Sequence, residues 1–556
     1  MGDARPLGMR PHLTPLHFLT LPAALLAAAL ALSADRAEAA KPGGVAVSIH
    51  HKTLEIVGTA DAEAIALRLR ADKPRKLEID VGDDGRADFR VKLRKFERIL
   101  VESRGGDDRV RIDDSNGAFT DAIPTTIDGG AGGDDLRGGR GAEIMLGRRG
   151  DDDVDGNGGD DVAYLGAGDD SFTWDPGDGS DTVEGQAGDD ELVFNGSGGS
   201  ETFDASANGP RVRFFRNLGN ITMDLDGVER IDTATLGGAD AYNAGDLSGT
   251  DVTELDTDLA GALGGDAADG VADTVTVAAT DGADSVEALG DGASATVVGL
   301  PALVRVRHSE PADTLVVKAL AGNDVVSAST LQATAMSLTA DGGGGNDTLL
   351  GSRGRDLLLG GDGDDFADGQ QADDAALLGA GDDAFRWDPG DGSDVVEGQA
   401  GHDVMQFNGS GGDELFDASA NGQRVRFFRN LGNITMDLDD VERIETNALA
   451  GADTLTVNDL SGTDATAIDA NLGQAIGSTA GDGAADSVVV NGTNGDDAIA
   501  VAGSAGAVDV TGLSAKVAIT GAESAADRLT VNGLGGADTL DDSGLAANTI
   551  GLTFNQ

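Results

Sequence analysis

From Gly129 to Val193 an apolar residue returns at a fixed phase in a stretch that is otherwise glycine and acid. Cut into nines, the stretch reads GGAGGDDLR, GGRGAEIML, GRRGDDDVD, GNGGDDVAY and LGAGDDSFT. After the two-residue insert Trp174-Asp175 it continues as PGDGSDTVE and GQAGDDELV. The eighth positions are Leu136, Met145, Val154, Ala163, Phe172, Val183 and Leu192. A disordered acidic tail would scatter such residues. An x-apolar-x triplet has the period of a strand and turns one side chain inward. Each nine therefore predicts a six-residue turn followed by a three-residue strand, and two nines make a flat coil of eighteen. The pattern returns from GGGGNDTLL at Gly342 to Gln406, with Trp387-Asp388 inserted at the matching place.

Outside these blocks the apolar residues alternate instead, as in ADFRVKLRKFERILVES and ADTLTVNDL, which predicts longer strands. Ser171–Gly199 recurs at Ala384–Gly412, and Arg211–Ile231 recurs almost unchanged at Arg424–Ile444, both displaced by 213 residues. A weaker similarity joins the stretches near residues 54, 275 and 488. The organisation predicted is a leader at 1–39, an N-terminal β module at 40–126 and a first repeat block at 127–194. A β-rich linking region and module follow at 195–339, then a second block at 340–407 and a linking region with a C-terminal module at 408–556. No helix-length periodic segment follows the leader. The expected fold is all-β, a parallel β-roll or β-helix with flanking solenoid-like modules; an antiparallel sandwich is the alternative for the modules.

The polar half of each nine carries the candidate chemistry. Glycine takes positive φ without steric cost and lets carbonyls approach a bound ion. Ca²⁺ takes six to eight hard oxygens, carboxylate and carbonyl together, in flexible geometry. Stacked coils bring alternate sixth positions into register, so Asp134, Asp152 and Asp170 are expected along one edge and Glu143 and Asp161 along the other. All fourteen sixth positions in the two blocks are acidic. Thirteen of the fourteen fourth positions are glycine, the exception being Ala372.

GGAGGDDLR and GGGGNDTLL match G-G-x-G-x-D-x-U-x at every constrained position, and the two blocks resemble the RTX (hemolysin-type) calcium-binding nonapeptide family. That resemblance covers roughly 129–193 and 342–406. It implies a parallel β-roll in which turn carbonyls and the sixth-position acid hold several Ca²⁺ ions. Carried onto this chain, the metal ligands would be Asp134, Glu143, Asp152, Asp161, Asp170, Asp181 and Asp190 in the first block. In the second they would be Asp347, Asp356, Asp365, Asp374, Asp383, Asp394 and Asp403. The nine at Gly369–Leu377 departs from the pattern at Gln370 and Ala372, Glu143 is one methylene longer, and the Trp-Asp inserts interrupt the register beside Asp181 and Asp394. The arrangement also looks like secreted bacterial calcium-binding repeat proteins.

Composition narrows the function. The formal charge is −59, which opposes compaction unless cations offset it and argues against a nucleic-acid partner. There is no cysteine, so neither disulfides nor thiolate sites serve as staples. Arg5 and Arg10, the apolar run Leu21–Leu32 and Ala37-Glu38-Ala39 read as a secretory leader, with no membrane span after its removal. The expected location is extracellular, with an association to the cell surface compatible. No H-E-x-x-H zinc motif and no nucleophile elbow with a histidine base is present, so the chain is not expected to be an enzyme. The expected role is a secreted calcium-binding structural or interaction protein. An adhesin or matrix protein holding an extracellular glycan or protein through 195–339 and 408–556 is the alternative, and a polysaccharide-active enzyme the remote one. The RVRFFRN segments are expected to bury one side and solvate the other, and Trp174 and Trp387 to pack over the edge of the roll.

Overall fold

The computed structural model describes residues 44–556; the leader expected at 1–39 lies outside them. The described chain is an all-β solenoid with two long mixed sheets on opposite sides of one narrow core. In the first block one sheet stacks Thr125–Ala131, Glu143–Arg149, Val162–Ala167 and Thr182–Ala187 in parallel. The other stacks Asp135–Arg137, Asp153–Asp155, Ser171–Trp174 and Glu191–Ser197. Leu136, Val154, Phe172 and Leu192 face one another in register, as do Ile127, Met145, Ala163 and Val183 across from them, and all eight are fully buried. The phase of the eighth position is thus the phase of the core.

The Trp-Asp insert widens the coil. Trp174 is fully buried, its ring stacked on Phe194 at 4.1 Å, and its Nε1 donates to the carbonyl of Gly179 at 2.9 Å. Trp387 repeats this with Phe407 and Gly392. The tryptophan therefore fills the interior rather than packing over the edge, because the two extra residues leave room between the sheets that only a large ring closes. The next coil carries an antiparallel hairpin, Thr202–Asn208 with Arg211–Arg216, followed by Ile221–Asp226, which rejoins the parallel sheet beside Thr182–Ala187. Phe203, Phe214 and Tyr242 occupy the widened core there.

The modules are rungs of the same solenoid, not sandwiches: Thr274–Ala278 pairs in parallel with Thr314–Lys318, and Ser487–Asn491 with Arg528–Asn532. Their coils are longer because each bears an outer hairpin: Ala64–Leu69 with Lys76–Val81, Ser285–Leu289 with Ser294–Val298, and Ala498–Ser504 with Ala507–Thr511. Strand pairing runs on through the block boundaries. Ser337–Gly344 spans 339 and 340, and Val404–Asn408 of the second block pairs with Arg443–Asn447 beyond it.

Glycine at the fourth position has a specific cause along one edge. Gly150 holds φ +109°, and a Cβ there would run into the carbonyl oxygen of Gly132 in the coil below; Gly168 stands on Gly150 in the same way. Ala372 occupies the corresponding place on the other edge with φ +84°. A left-handed backbone costs an L-residue roughly 1–2 kcal/mol, while the freedom glycine adds to the unfolded chain returns part of that. Ala372→Gly is therefore expected to stabilise the chain by about 0.5–1 kcal/mol, seen as a higher midpoint in urea with an unchanged slope. A lower midpoint would show that the left-handed turn is not what selects glycine there.

Candidate metal centre

The sixth-position acids form ladders along the two edges of the solenoid. The backbone N–H of Asp134 donates to Oδ1 of Asp152 at 2.8 Å, that of Asp152 to Asp170 at 2.7 Å, and that of Asp170 to Asp190 at 2.9 Å. On the other edge Glu143 N–H donates to Asp161 at 2.6 Å and Asp161 N–H to Asp181 at 2.8 Å. The second block repeats both: Asp347, Asp365, Asp383 and Asp403 on one edge, Asp356, Asp374 and Asp394 on the other. The structure thus brings together, coil on coil, the residues that spacing alone placed on each edge. The seventh positions face outward, where Asp135 pairs with Arg137 at 2.7 Å.

One oxygen of each carboxylate is used by this bond; the fate of the other separates two kinds of rung. At the foot of a ladder no acid of the coil below donates to the carboxylate, and the acid's own coil supplies its partners. Ser352 donates its N–H and its hydroxyl to Asp356, Thr59 binds Glu63, and the Arg216 guanidinium and Ser197 bind Glu201. Glu143 is a foot of a different kind: its longer side chain reaches the N–H of Gly139 at 2.7 Å through Oε2, while its Oε1 stays without a partner. Above the foot the second oxygen is orphaned. Twelve of the fourteen acids bury an oxygen with no hydrogen-bond partner, the exceptions being Asp356 and Asp394. An unsatisfied buried carboxylate oxygen is costly, so this recurring one calls for a partner.

The surroundings of the orphaned oxygens fit a hard cation. Ten of the fourteen nines begin with glycine, the others with Leu165, Pro176, Leu378 and Pro389, and a Cβ built on each of those ten glycines would meet a carboxylate oxygen of the sixth-position acid. At Gly147 it enters a cradle of Oδ2 of Asp152 and the carbonyl of Leu165; at Gly360, Oδ2 of Asp365 and the carbonyl of Leu378; at Gly342, Oδ2 of Asp347 and the carbonyl of Gly360. Carboxylate and carbonyl oxygens without nitrogen or sulfur are the donor set of Ca²⁺ rather than of a transition metal. Burial pushes the carboxyls upward, and their stacked neighbours add to it. Asp134, Asp356 and Asp403 reach about 6, and Glu143, Asp152, Asp181, Asp190, Asp365 and Asp394 about 7. Asp161 beside Glu143, and Asp374 beside Asp356, are pushed to about 9, and Asp170, Asp347 and Asp383 are raised as well. Asp161 and Asp374 hold a proton at neutral pH unless a positive charge replaces it, and the others ionise less readily than an ordinary carboxyl.

The ladders extend well beyond the nonapeptides. Asp108, in the N-terminal module before the first block, donates its N–H to Asp134 and accepts from Glu63. Asp324 stands between Asp284 and Asp347, and Asp538 receives the N–H of Asp497. Glu201, Asp240, Asp273 and Asp313 form a further ladder, repeated by Glu414, Asp453, Asp486 and Asp527. Of these added rungs Asp108, Asp240, Asp324 and Asp453 also bury an unpartnered oxygen. Glu229 and Glu442 close the upper ends of the Asp134–Asp190 and Asp347–Asp403 ladders.

Among the described residues one group of three acids gathers its oxygens within 4.8 Å: Asp439, Asp440 and Asp464, in the linking region after the second block. The group could coordinate a metal ion, but Asp439 already receives Arg424 at 3.0 Å, and Asp440 and Asp464 are exposed. The ladders bring carboxylates together in pairs, one from each coil, so none of the fourteen acids falls in such a triple.

The chain matches no protein-family model, and no curated protein matches it. What stands is the class: a large, repetitive β-solenoid of the β-roll or β-helix type. Among the described residues no helix is long and apolar enough to cross a membrane.

Proposed function

We propose that this chain is a secreted calcium-binding solenoid of structural or adhesive rather than catalytic role, whose edge ladders hold Ca²⁺ between successive coils. The observation that carries the reading is the orphaned carboxylate oxygen, repeated coil after coil beside a backbone carbonyl. Asp134, Asp152, Asp170 and Asp190 would serve one edge of the first block, with Glu143, Asp161 and Asp181 on the other; the seven acids of the second block repeat the arrangement. A bound divalent ion supplies positive charge that offsets the stacked carboxylates. In the folded chain the coil below holds Oδ1 of twelve of the fourteen acids, which turns Oδ2 toward the cradle. The first-position glycines keep the cradle open. Binding that exists only in the folded state adds to folding free energy.

The test is a calcium titration of the chelated protein, from residue 40 onward, by calorimetry and far-UV circular dichroism. Cooperative binding of several ions with a gain of β signal is expected, and Mg²⁺ should substitute poorly because it demands tight octahedral geometry. Identical spectra in chelator and calcium, with no heat of binding, would remove the proposal. Asp152→Ala should weaken binding more than Asp135→Ala, since Asp135 lies outside the ladder against arginine.

The adhesive variant of this reading draws on one groove. Asn408, Asn447 and Asn471 stack by amide hydrogen bonds of 2.9 and 3.0 Å in the floor of a polar cavity of about 730 Å³. At the matching place in the first unit Arg307 reaches across Asp232 and Asp256, where the second has Thr520.

A further inference from the structure

The negative charge is not spread along the molecule. Residues 44–126 hold 15 Lys and Arg against 16 Asp and Glu, whereas 127–556 hold 20 against 79. The whole formal charge of −59 therefore belongs to the body, and the first module is close to neutral. Within that module the cations are concentrated at one place. The turn joining Ala64–Leu69 to Lys76–Val81 and the end of Phe89–Lys92 together line a cavity of about 820 Å³ with Lys73, Pro74, Arg75, Lys76, Lys92, Leu93 and Arg94. No acid lines it. Among the described residues no carboxylate lies within ion-pair distance of Lys73, Arg75, Lys76, Lys92 or Arg94, although arginines nearby are paired, Arg70 with Asp72 and Arg90 with Glu78.

The molecule supplies its own comparison. The outer hairpin that bears this turn occurs in all three modules. In the second its turn is Gly290-Asp291-Gly292-Ala293, and in the third Ser504-Ala505-Gly506. The hairpin therefore does not need lysine and arginine there; two of its three copies fold with neutral or acidic turns. In those copies the strand corresponding to Phe89–Lys92 is covered by the preceding coil, Leu303–Arg307 by Glu254–Asp258 and Lys516–Thr520 by Ala467–Asn471. Phe89–Lys92 pairs only with Lys76–Val81, so the basic cleft opens at the N-terminal pole of the described solenoid.

We propose that this cleft binds a segment of an acidic polysaccharide, a chain whose units carry carboxylate or sulfate groups, and so attaches the solenoid by its N-terminal pole. Five unpaired cations within one concave site match closely spaced anions on a thin chain. A lipid surface is flat and cannot enter the cleft, and Pro74 and Leu93 are too little apolar area to insert in one. The body repels a polyanion, so contact is confined to the pole and the rest of the rod is held away from it. The proposal does not depend on the ladders binding calcium.

The experiment measures fluorescent heparin binding to the full chain in calcium buffer at low salt, with neutral dextran and phosphatidylglycerol vesicles as the other arms. Heparin should bind and dextran should not, and affinity should fall steeply as salt is raised, through counterion release. Lys73→Gln/Arg75→Gln/Arg94→Gln should weaken heparin binding at least about tenfold, consistent with roughly 1.4 kcal/mol. Arg353→Gln, an exposed cation of the body, should leave it unchanged. The variant's circular dichroism should match that of the parent, since the three side chains are exposed. Absence of heparin binding, an unchanged triple variant, or vesicles bound more tightly than heparin would each overturn the proposal, the last in favour of a membrane surface.

Discussion

In chelator, the chain is expected to be most stable in mildly acid solution and to lose its fold as the pH rises through 6 to 9, while calcium reverses that order. The cause lies in the ladder carboxyls. Asp152 is raised from an ordinary 3.8 to about 7 and Asp161 to about 9, mainly by burial, and the stacked neighbours raise them further. Their folded values exceed their unfolded ones, so between those limits the folded chain holds more protons than the unfolded chain. The stabilisation is complete below the unfolded value and is lost as pH climbs through the folded one, with about 1.4 kcal/mol for each tenfold change in proton affinity. At the acid end a different set governs. Asp83 is lowered by its hydrogen bonds with Arg111, so its contribution is present above the unfolded value and fades as the pH falls further. An optimum near pH 4–6 should result for the chelated chain. On the proposed function, calcium at the ladders would take the place of the protons, so its binding should release them and strengthen as pH rises. Urea unfolding at several pH values, with and without chelator at constant ionic strength, reads both curves. A chelated chain as stable at pH 9 as at pH 5 would mean that these carboxyls are not held as the buried ladder implies.

The ladder was legible in part. A strict period of nine revealed the eighth-position core and the sixth-position acids because each nine is one strand and one turn, and in that regime chain spacing and spatial spacing coincide. A further ladder runs from Asp240 to Asp273 and on to Asp313, but its steps span 33 and 40 residues, the first lengthened by the long turn between Asp258 and Thr274 and the second by the hairpin of Ser285–Leu289 with Ser294–Val298. Periodicity cannot see a neighbour whose distance along the chain varies. Asp108 and Asp324 therefore belong to no visible period although each is stacked on both sides. One signal was available: a glutamate replaces aspartate at Glu63, Glu143, Glu201 and Glu414, all feet of ladders, where the carboxylate must reach a partner within its own coil. The clustering of cations at Lys73–Arg94 was also readable, but the overall charge obscured it, since one total cannot show that a neutral cap sits on an acidic rod.

The RVRFFRN segment shows where alternation gives the face but not the chemistry. Val212, Phe214 and Arg216 point inward, as the period of two requires, and Arg211 and Arg213 point outward. The inward arginine is the unexpected one. Arg216 stacks its guanidinium over Trp174 at 5.2 Å and donates through Nε to Oε1 of Glu201 at 2.7 Å, and both side chains are nearly inaccessible. Glu201 is the foot of the ladder that continues through Asp240, and here the arginine supplies, as part of the chain, a positive charge beside the buried carboxylate. Removing it leaves a buried carboxylate with only Ser197 as partner. Arg216→Met is accordingly expected to destabilise the chain by about 3–5 kcal/mol, the largest single-residue effect outside the glycine stack. Adding Glu201→Gln should restore much of the loss, since a neutral amide oxygen still accepts the Ser197 N–H and no charge is stranded. The loss should be the same in chelator and in calcium, in contrast to Asp152→Ala, because the cation at this rung is covalently part of the protein. Arg429 and Glu414 repeat the pair 213 residues on and should give the same cycle. Urea denaturation of the two single variants and the double variant measures the coupling. Strictly additive effects, or an Arg216→Met chain within about 1 kcal/mol of the parent, would show that the pair does not hold the ladder's foot.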